Sequence, residues 1–161
     1  MKKFSELNKV NESIYVHREE EVELLLGILG VSIEDIEDIF INFLDKGDHD
    51  FGINLQYIKY NPYGDRSRYT TVYKKEINKD IIKEIELVVY FQSNNYTEKK
   101  GYYSKNEINL IEEYILSIKK LSSIIKTDKL SFNTILEQLS ITITFDVTDE
   151  IIDGLRKVIL F

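Results

Sequence analysis

The sequence predicts an α+β fold. We expect a single domain over residues 1–161, in which a mainly antiparallel sheet of about four to six strands packs with N-terminal acidic helices, one long central helix and a C-terminal helix. Apolar residues recur with helical spacing in some stretches and alternate with polar residues in others. The chain of 161 residues, 43% of them apolar, can form one packed core, and no repeat or proline-rich linker divides it.

The first predicted helix begins near the glutamates at 19–21, where the positive end of a helix dipole favours negative charge. Gly30 is expected to end it. Its apolar residues follow the spacing of a buried stripe: Val22, Leu25, Leu26 and Leu29.

A second helix is predicted from Ser32 to a point just before Gly47. Ser32 is a good N-cap, and Asp35 follows three residues later. The expected buried residues are Ile33, Ile36, Phe40 and either Phe43 or Leu44. The expected exposed face consists of Glu34, Asp35, Glu37, Asp38 and Asp45.

Alternation with period two then predicts strands. Residues 51–57 form the first, and a turn at Asn61-Pro62-Tyr63-Gly64 leads to a return strand over 69–74. Residues 85–91 form the third strand. Residues 78–84 fit a helix or a strand equally well.

The C-terminal half contains the strongest helix pattern. Ser104 and Glu107 have the spacing of a capping box, after a polar loop at 92–103. The apolar side of this long helix is predicted to carry Ile108, Ile111, Ile115, Ile118 and Ile125. A short helical segment near 132–139 and a strand over 141–145 follow. Asp146 or Thr148 is expected to cap a final helix that ends at Val158.

Composition excludes several classes of protein. The absence of cysteine excludes disulfides and thiolate metal sites and suits a reducing compartment. The longest uncharged apolar run, residues 24–33, is much shorter than the roughly 20 residues that cross a bilayer. The N-terminus lacks the pattern of a secretory signal, so we expect a cytoplasmic protein without a membrane partner. A net charge of −7 argues against direct nucleic-acid binding.

The charge is concentrated in one segment. Between Arg18 and Asp50, eleven acidic residues stand against two basic ones, a net charge of −9, whereas the remainder of the chain carries +2. A concentrated negative face attracts a basic partner and speeds association. An acidic surface also favours plain solubility, and both interpretations remain open.

No motif in the sequence indicates catalysis. Asp48-His49-Asp50 contains metal-ligand types, but adjacent residues rarely converge on one ion and the spacing is not that of an EF-hand, so we predict a solvated turn. His17 has no identifiable nucleophile to serve. Neither Gly27 nor Gly30 lies in a phosphate-binding pattern. We therefore predict no catalytic residue, no cofactor and no metal.

Tyrosine and arginine crowd the predicted hairpin. Both residue types are favoured at binding hot spots. Tyr57 and Tyr73 are expected only to cover the sheet. At the hairpin tip an interface is an equally good interpretation for Tyr63, Asp65, Arg66 and Arg68.

Two stretches and the whole-chain plan resemble bacterial toxin-immunity proteins. The stretches are residues 40–45 (FINFLD) and 51–55 (FGINL), and the plan is acidic helices followed by a sheet with one long helix. The chain is most similar in type to the immunity proteins of contact-dependent growth inhibition systems. The resemblance implies a protein that binds a cognate basic toxin domain, often a nuclease, and blocks its active site or substrate groove.

The acidic charge of residues 18–50 favours the same partner, because a nuclease needs a positive groove for phosphate. The predicted partner-binding residues are Glu34, Asp35, Glu37, Asp38, Asp45, Asp48 and Asp50, with Tyr63 and Arg66 as secondary candidates. Two alternatives remain: a phage-type inhibitor that mimics nucleic acid to block a host defence enzyme, and an enzyme of unrecognised type.

Overall fold

The computed structural model describes residues 14–16, 18–47, 49–93, 105–127, 129–135 and 138–159. A 3-10 turn at Lys74–Glu76 accompanies the helices and strands. In chain order the helices and strands are β1 (Ile14–Val16), α1 (Glu19–Leu29), α2 (Ile33–Gly47), β2 (His49–Tyr60), β3 (Arg66–Tyr69), β4 (Glu84–Ser93), α3 (Lys105–Ile124), β5 (Leu130–Phe132), β6 (Leu139–Asp146) and α4 (Asp149–Val158).

The six strands in the described residues form one sheet around β2 and β4. The order is β1-β2-β4-β6-β5, and β3 pairs with the same edge of β2 as β1 does. Within the described chain only β1 and β2 run parallel, while the other pairs are antiparallel. The predicted α+β class with a mainly antiparallel sheet is therefore confirmed.

One face of the sheet carries the core. Alternate side chains of β2 at Phe51, Ile53, Leu55 and Tyr57 are buried. They belong to the same apolar cluster as the buried side chains of the four described helices. Residues directly opposite in an antiparallel pair point to the same side. The register therefore places a different, largely polar set on the other face: Asn54, Gln56, Val88, Thr142 and Thr144.

Four aromatic rings join the helices to the sheet. Phe40 of α2 lies 4.8 Å from the ring of Phe91 on β4, and Tyr114 of α3 lies 5.3 Å from Phe43 and 5.6 Å from Phe91. The hydroxyl of Tyr114 donates a hydrogen bond of 3.0 Å to the carbonyl oxygen of Ser140 on β6. This cluster fixes α2 and α3 on the central strands.

The aromatic cluster also sets the rotation of α3 about its axis. The predicted stripe of isoleucines is partly wrong, because Ile108 is 47% exposed while Tyr114, Ile118 and Leu121 are buried. Because the Tyr114 ring packs in the core, the buried face of α3 is rotated about the helix axis by part of a turn from the face that the isoleucine spacing predicts.

Three of the predicted caps are confirmed. Gly30 ends α1 in the left-handed region at φ 87°, and Val31 N donates to Leu26 O at 3.1 Å. Ser32 Oγ accepts from Asp35 N, and Asp35 Oδ2 accepts from Ser32 N. Of the two candidates for the final cap, Thr148 is used: its Oγ1 accepts from Ile151 N at 3.2 Å.

Two predicted segments are wrong. The return strand covers Arg66–Tyr69 rather than 69–74, because Asn61 Oδ1 accepts from the backbone nitrogens of Tyr63 and Asp65 and closes a tight turn. The expected helical segment near 132–139 begins with the end of strand β5, which pairs with β6. The ambiguous residues 78–83 form turns and loop, and β4 begins at Glu84.

Some predictions lie outside the described residues: Ser104 of the capping box, His17 and Asp48. Among the helices that the structure describes, none combines the length and apolar character needed to cross a membrane.

Candidate functional site: an acidic surface on two helices

Carboxylates from α1 and α2 lie close together on one surface. Burial and the negative charges of Glu19, Glu20 and Glu34 raise the pKa of Glu23. Glu23 and Glu34 also line the same small cleft of about 310 Å³ between the two helices. We define the acidic surface as Glu19, Glu20, Glu23, Glu34 and Asp38.

The short connection between the helices creates this surface. Gly30 reverses the chain with a positive φ, and Ser32 caps the next helix only two residues later. The beginning of α2 is thereby held beside the middle of α1, and Glu34 is brought to Glu23. Residues eleven apart in sequence become neighbours.

Glu37 does not belong to the exposed face that the sequence predicts. Its side chain is 0% exposed, and neither carboxylate oxygen has a hydrogen-bond partner among the residues that the structure describes. Burial, with smaller contributions from the charges of Asp38 and Glu34, raises the pKa of Glu37 to about 7. Helical spacing did not separate Glu37 from its neighbours because it lies at the border between the apolar and acidic sides of α2.

The other predicted residues of α2 differ in position and in role. Glu34 is exposed, and Asp38, one turn later, is half-buried. Asp35 is exposed, but its carboxylate caps the helix through Ser32 N. Asp45 is exposed in the last turn, about 16 Å along the axis from Glu34 at 1.5 Å per residue. Only Glu34 and Asp38 therefore belong to the acidic surface.

The predicted solvated turn at residues 48–50 is wrong in its described part. Strand β2 already begins at His49, whose side chain is buried and packs 4.6 Å from the ring of Phe43. Asp50 is opposite Gln92 and shares the sheet face that lies away from the helices. It is therefore separated by the sheet from the carboxylates of α2.

The hairpin tip forms a separate charged cluster on that other face. Arg66 Nη2 lies 2.8 Å from Glu86 Oε1 and 3.2 Å from Glu84 Oε1, and the Tyr60 hydroxyl donates to Glu84 at 2.7 Å. Two carboxylates thus offset the charge of Arg66. Tyr63 is 91% exposed at the tip.

The two strand tyrosines behave differently from each other. Tyr57 is buried on the helix side of β2, as predicted, and its hydroxyl donates a 3.0 Å hydrogen bond to Glu21 Oε1. Tyr73 lies beyond β3 and is 62% exposed, so the prediction that it covers the sheet is wrong.

The N-terminus of α1 borders a larger cleft of about 530 Å³. Its other walls are a segment that follows β3 and the end of α4, which are far apart in sequence. The cleft is lined by Arg18, Glu19, Glu20, Glu21, Thr71, Val72, Tyr73, Val158 and Ile159.

The sequence-based set of binding residues omitted the glutamates of α1. Helical spacing could have identified them as one group, since Glu19 and Glu20 precede Glu23 by four and three residues and therefore lie on the same side of the helix. Their proximity to Glu34 depends on the turn between the helices. The cleft depends on contacts between distant segments, which no local pattern reveals.

Within the described ranges, no group of three or more histidine, aspartate or glutamate side chains is arranged to hold a metal ion. Comparison with protein-family models, with curated proteins and with solved structures gave no match to this chain.

Proposed function

We propose that this chain is a cytoplasmic immunity protein without catalytic activity of its own. It binds a basic toxin domain, a nuclease in the simplest case, and covers the active site or substrate groove. The observation that carries the proposal is the acidic surface: two helices fill the core with their apolar sides and group five carboxylates on one outer surface.

The charge distribution supports this choice of partner. A nuclease holds its substrate with positive side chains placed to contact phosphates. Carboxylates grouped on one surface can take the place of those phosphates and exclude the nucleic acid. Complementary potentials also raise the association rate, and this effect weakens as salt screens the charges.

The support beneath the acidic surface favours tight binding. Val22 and Leu25 of α1 and Ile36 of α2 are completely buried. The capped turn at Gly30 and Ser32 fixes the two helices relative to each other. On such a rigid base the backbone loses little conformational entropy when a partner binds, so that the entropic cost is confined mainly to the carboxylate side chains.

Charge reversal on the acidic surface tests the proposal. We expect the double variant Glu23→Lys/Glu34→Lys to bind the toxin domain encoded by the flanking gene about 100-fold more weakly, because close interfacial charge pairs contribute roughly 1.5 kcal/mol or more each. Calorimetry at two salt concentrations measures the affinity and its salt dependence. Glu112→Lys/Glu150→Lys is the matched control, since these exposed acids on α3 and α4 give the same change in net charge.

An equal loss of affinity in the two double variants would mean that only the net charge of the protein affects binding. Unchanged affinity in both would mean that the acidic surface does not contact the toxin. The second readout is cleavage by the toxin, which excess wild-type chain should suppress. A complex that leaves the toxin fully active would contradict neutralisation. A flanking gene for a defence enzyme, with binding to that enzyme, would favour the nucleic-acid mimic instead.

A further inference from the structure

The 530 Å³ cleft beside α1 combines an apolar wall with an acidic rim. Val72 and Ile159 are buried, and Val158 is half-buried. Glu19 and Glu20 are exposed at the N-terminus of α1. The volume lies within the range of roughly 300–1,000 Å³ found for ligand pockets.

A buried carboxylate oxygen at the wall of the cleft has no hydrogen-bond donor among the described residues. Glu21 is 6% exposed, and its Oε1 accepts the hydrogen bond from Tyr57. Its Oε2 is buried and accepts no hydrogen bond from the described part of the chain. The guanidinium of Arg18 is close, but its Nε lies 3.8 Å away, beyond hydrogen-bond distance. A buried acceptor in this state is stabilised by any donor that reaches it.

The net charge of the lining selects a cation. Three glutamates line the cleft, and among the described lining residues only Arg18 is basic. The same glutamates already complement the positive end of the α1 dipole. An anion at this helix end would meet three carboxylates, whereas a cation would be attracted by them.

The backbone at the mouth of the cleft is unusual. Arg18 has φ 58° and ψ 56°, the left-handed region that non-glycine residues rarely adopt. Such conformations cost of order 1–3 kcal/mol and tend to occur at ligand sites. The conformation begins α1 directly after Arg18 and places Glu19 to Glu21 around the opening.

We propose that this cleft is the anchor pocket for a cationic side chain, lysine or arginine, of the protein partner. The aliphatic stem of that side chain lies along Val72 and Ile159, and its charged end donates to Glu21 Oε2 and is attracted by Glu20. The inference rests on the proposed function, because it names which residue of a basic partner contacts the end of the acidic surface.

The test uses a probe that does not require the partner. The full chain is titrated with N-acetyl-arginine amide while backbone amide shifts are followed by NMR. N-acetyl-citrulline amide, similar in shape but uncharged, is the matched probe. We expect shifts at Val72, Tyr73 and Ile159 with the arginine probe and about tenfold weaker binding of the citrulline probe, because hydrogen bonds to charged groups are the stronger ones.

Two variants locate the binding site. Glu21→Gln keeps an acceptor for Tyr57 and removes the charge, and Glu20→Gln changes only an exposed rim residue. Both should weaken the arginine probe severalfold, whereas Glu150→Gln, an exposed acid in the first turn of α4, should not. The Glu20 variant keeps the test valid if the buried substitution impairs folding.

Three results would overturn the assignment: equal binding of the two probes, shifts confined to Glu23 and Glu34, or binding that appears only after Lys2, Lys3 and Lys9 are changed to glutamine. The last would identify the basic N-terminal segment of this chain as the occupant. If the toxin still binds and is weakened by Glu23→Lys/Glu34→Lys, the proposed function stands although the anchor pocket is wrong.

Discussion

The hydroxyl of Tyr57 donates a 3.0 Å hydrogen bond to Glu21 Oε1 and joins the central strand β2 to the first turn of α1. Both side chains are buried. Burial raises the pKa of Glu21, and the bond from Tyr57 partly offsets that increase. This contact fixes the position of α1 and with it one wall of the larger cleft.

Tyr57→Phe removes the donor and leaves the Glu21 carboxylate buried without it. We expect a loss of about 1–3 kcal/mol in the free energy of unfolding, the usual cost of an unsatisfied buried group. Urea unfolding at neutral pH measures it. Tyr60→Phe is the control, since Tyr60 makes the same type of bond to Glu84 at an exposed position. An equal effect of the two substitutions would contradict the role assigned to burial.

Glu37 gives the protein a specific dependence of stability on pH. Its pKa is raised from 4.5 to about 7, so the folded state holds a proton that the unfolded state has released between these values. The free energy of unfolding therefore falls as pH rises from about 4.5 to 7, and the loss is complete above that range. Glu37→Gln should make this slope shallower, while Glu21 and Glu23, whose pKa values are also raised, retain part of it. The substitution should stabilise the protein at pH 8 by up to about 3 kcal/mol.

Unfolding of both proteins at pH 4 and pH 8 measures the effect, and the two should be nearly equally stable at pH 4. Glu112→Gln, at an exposed position on α3, controls for the loss of one acid. A slope that is unchanged in Glu37→Gln would assign the pH dependence to other groups, Glu21 and Glu23 among them.

Gly52 leaves room for the ring of Tyr90, which occupies the space of the missing Cβ. A Cβ at this position would be 2.1 Å from Cζ of Tyr90, which is impossible without movement of the ring. We expect Gly52→Ala to destabilise the fold by about 1–3 kcal/mol. Combining it with Tyr90→Ala should cost less than the sum of the two single changes.

Gly27→Ala is the matched control for the glycine substitution. Apart from its chain neighbours and the backbone of α1 itself, no described residue has a heavy atom within 4 Å of a Cβ at this position. Glycine inside a helix is unfavourable. The same chemical change should therefore stabilise the protein by up to about 1 kcal/mol. Destabilisation in both variants would disprove the specific role of the Tyr90 ring.

Arg66→Gln tests the charged cluster on the other face. Glu86 is buried and has Arg66 as its closest cation, at 2.8 Å, with Arg68 at 3.7 Å. Loss of Arg66 should cost about 1–2 kcal/mol because it leaves a buried carboxylate poorly paired. Arg68→Gln should cost less. If thermal unfolding ranks the two in the opposite order, Arg68 is the main partner of Glu86.

Sequence patterns over a few residues correctly predicted the helix ends and strand faces that depend on residues close together in the sequence. Gly30, Ser32 with Asp35, and Thr148 end or begin their helices as expected. Alternating residues identified the central strands, because one buried face imposes a period of two.

Features that depend on distant contacts were not predictable. Strands β1 and β5 have only three residues each, and pairing with β2 and β6 defines them. The rotation of α3 depends on Phe40, Phe43 and Phe91. For the candidate site, the sequence located the acidic helices but not the burial of Glu37, which depends on the packing around α2.

The pairing of β4 with β6 also constrains how the chain folds. Ile85 is opposite Phe145, 60 positions later, so α3 lies within the loop that this pairing closes. Closing such a loop costs conformational entropy before any contact repays it, whereas the turn from α1 to α2 spans three residues. We expect the helical hairpin that carries the acidic surface to form early, and the joining of β4 to β6 to limit the folding rate.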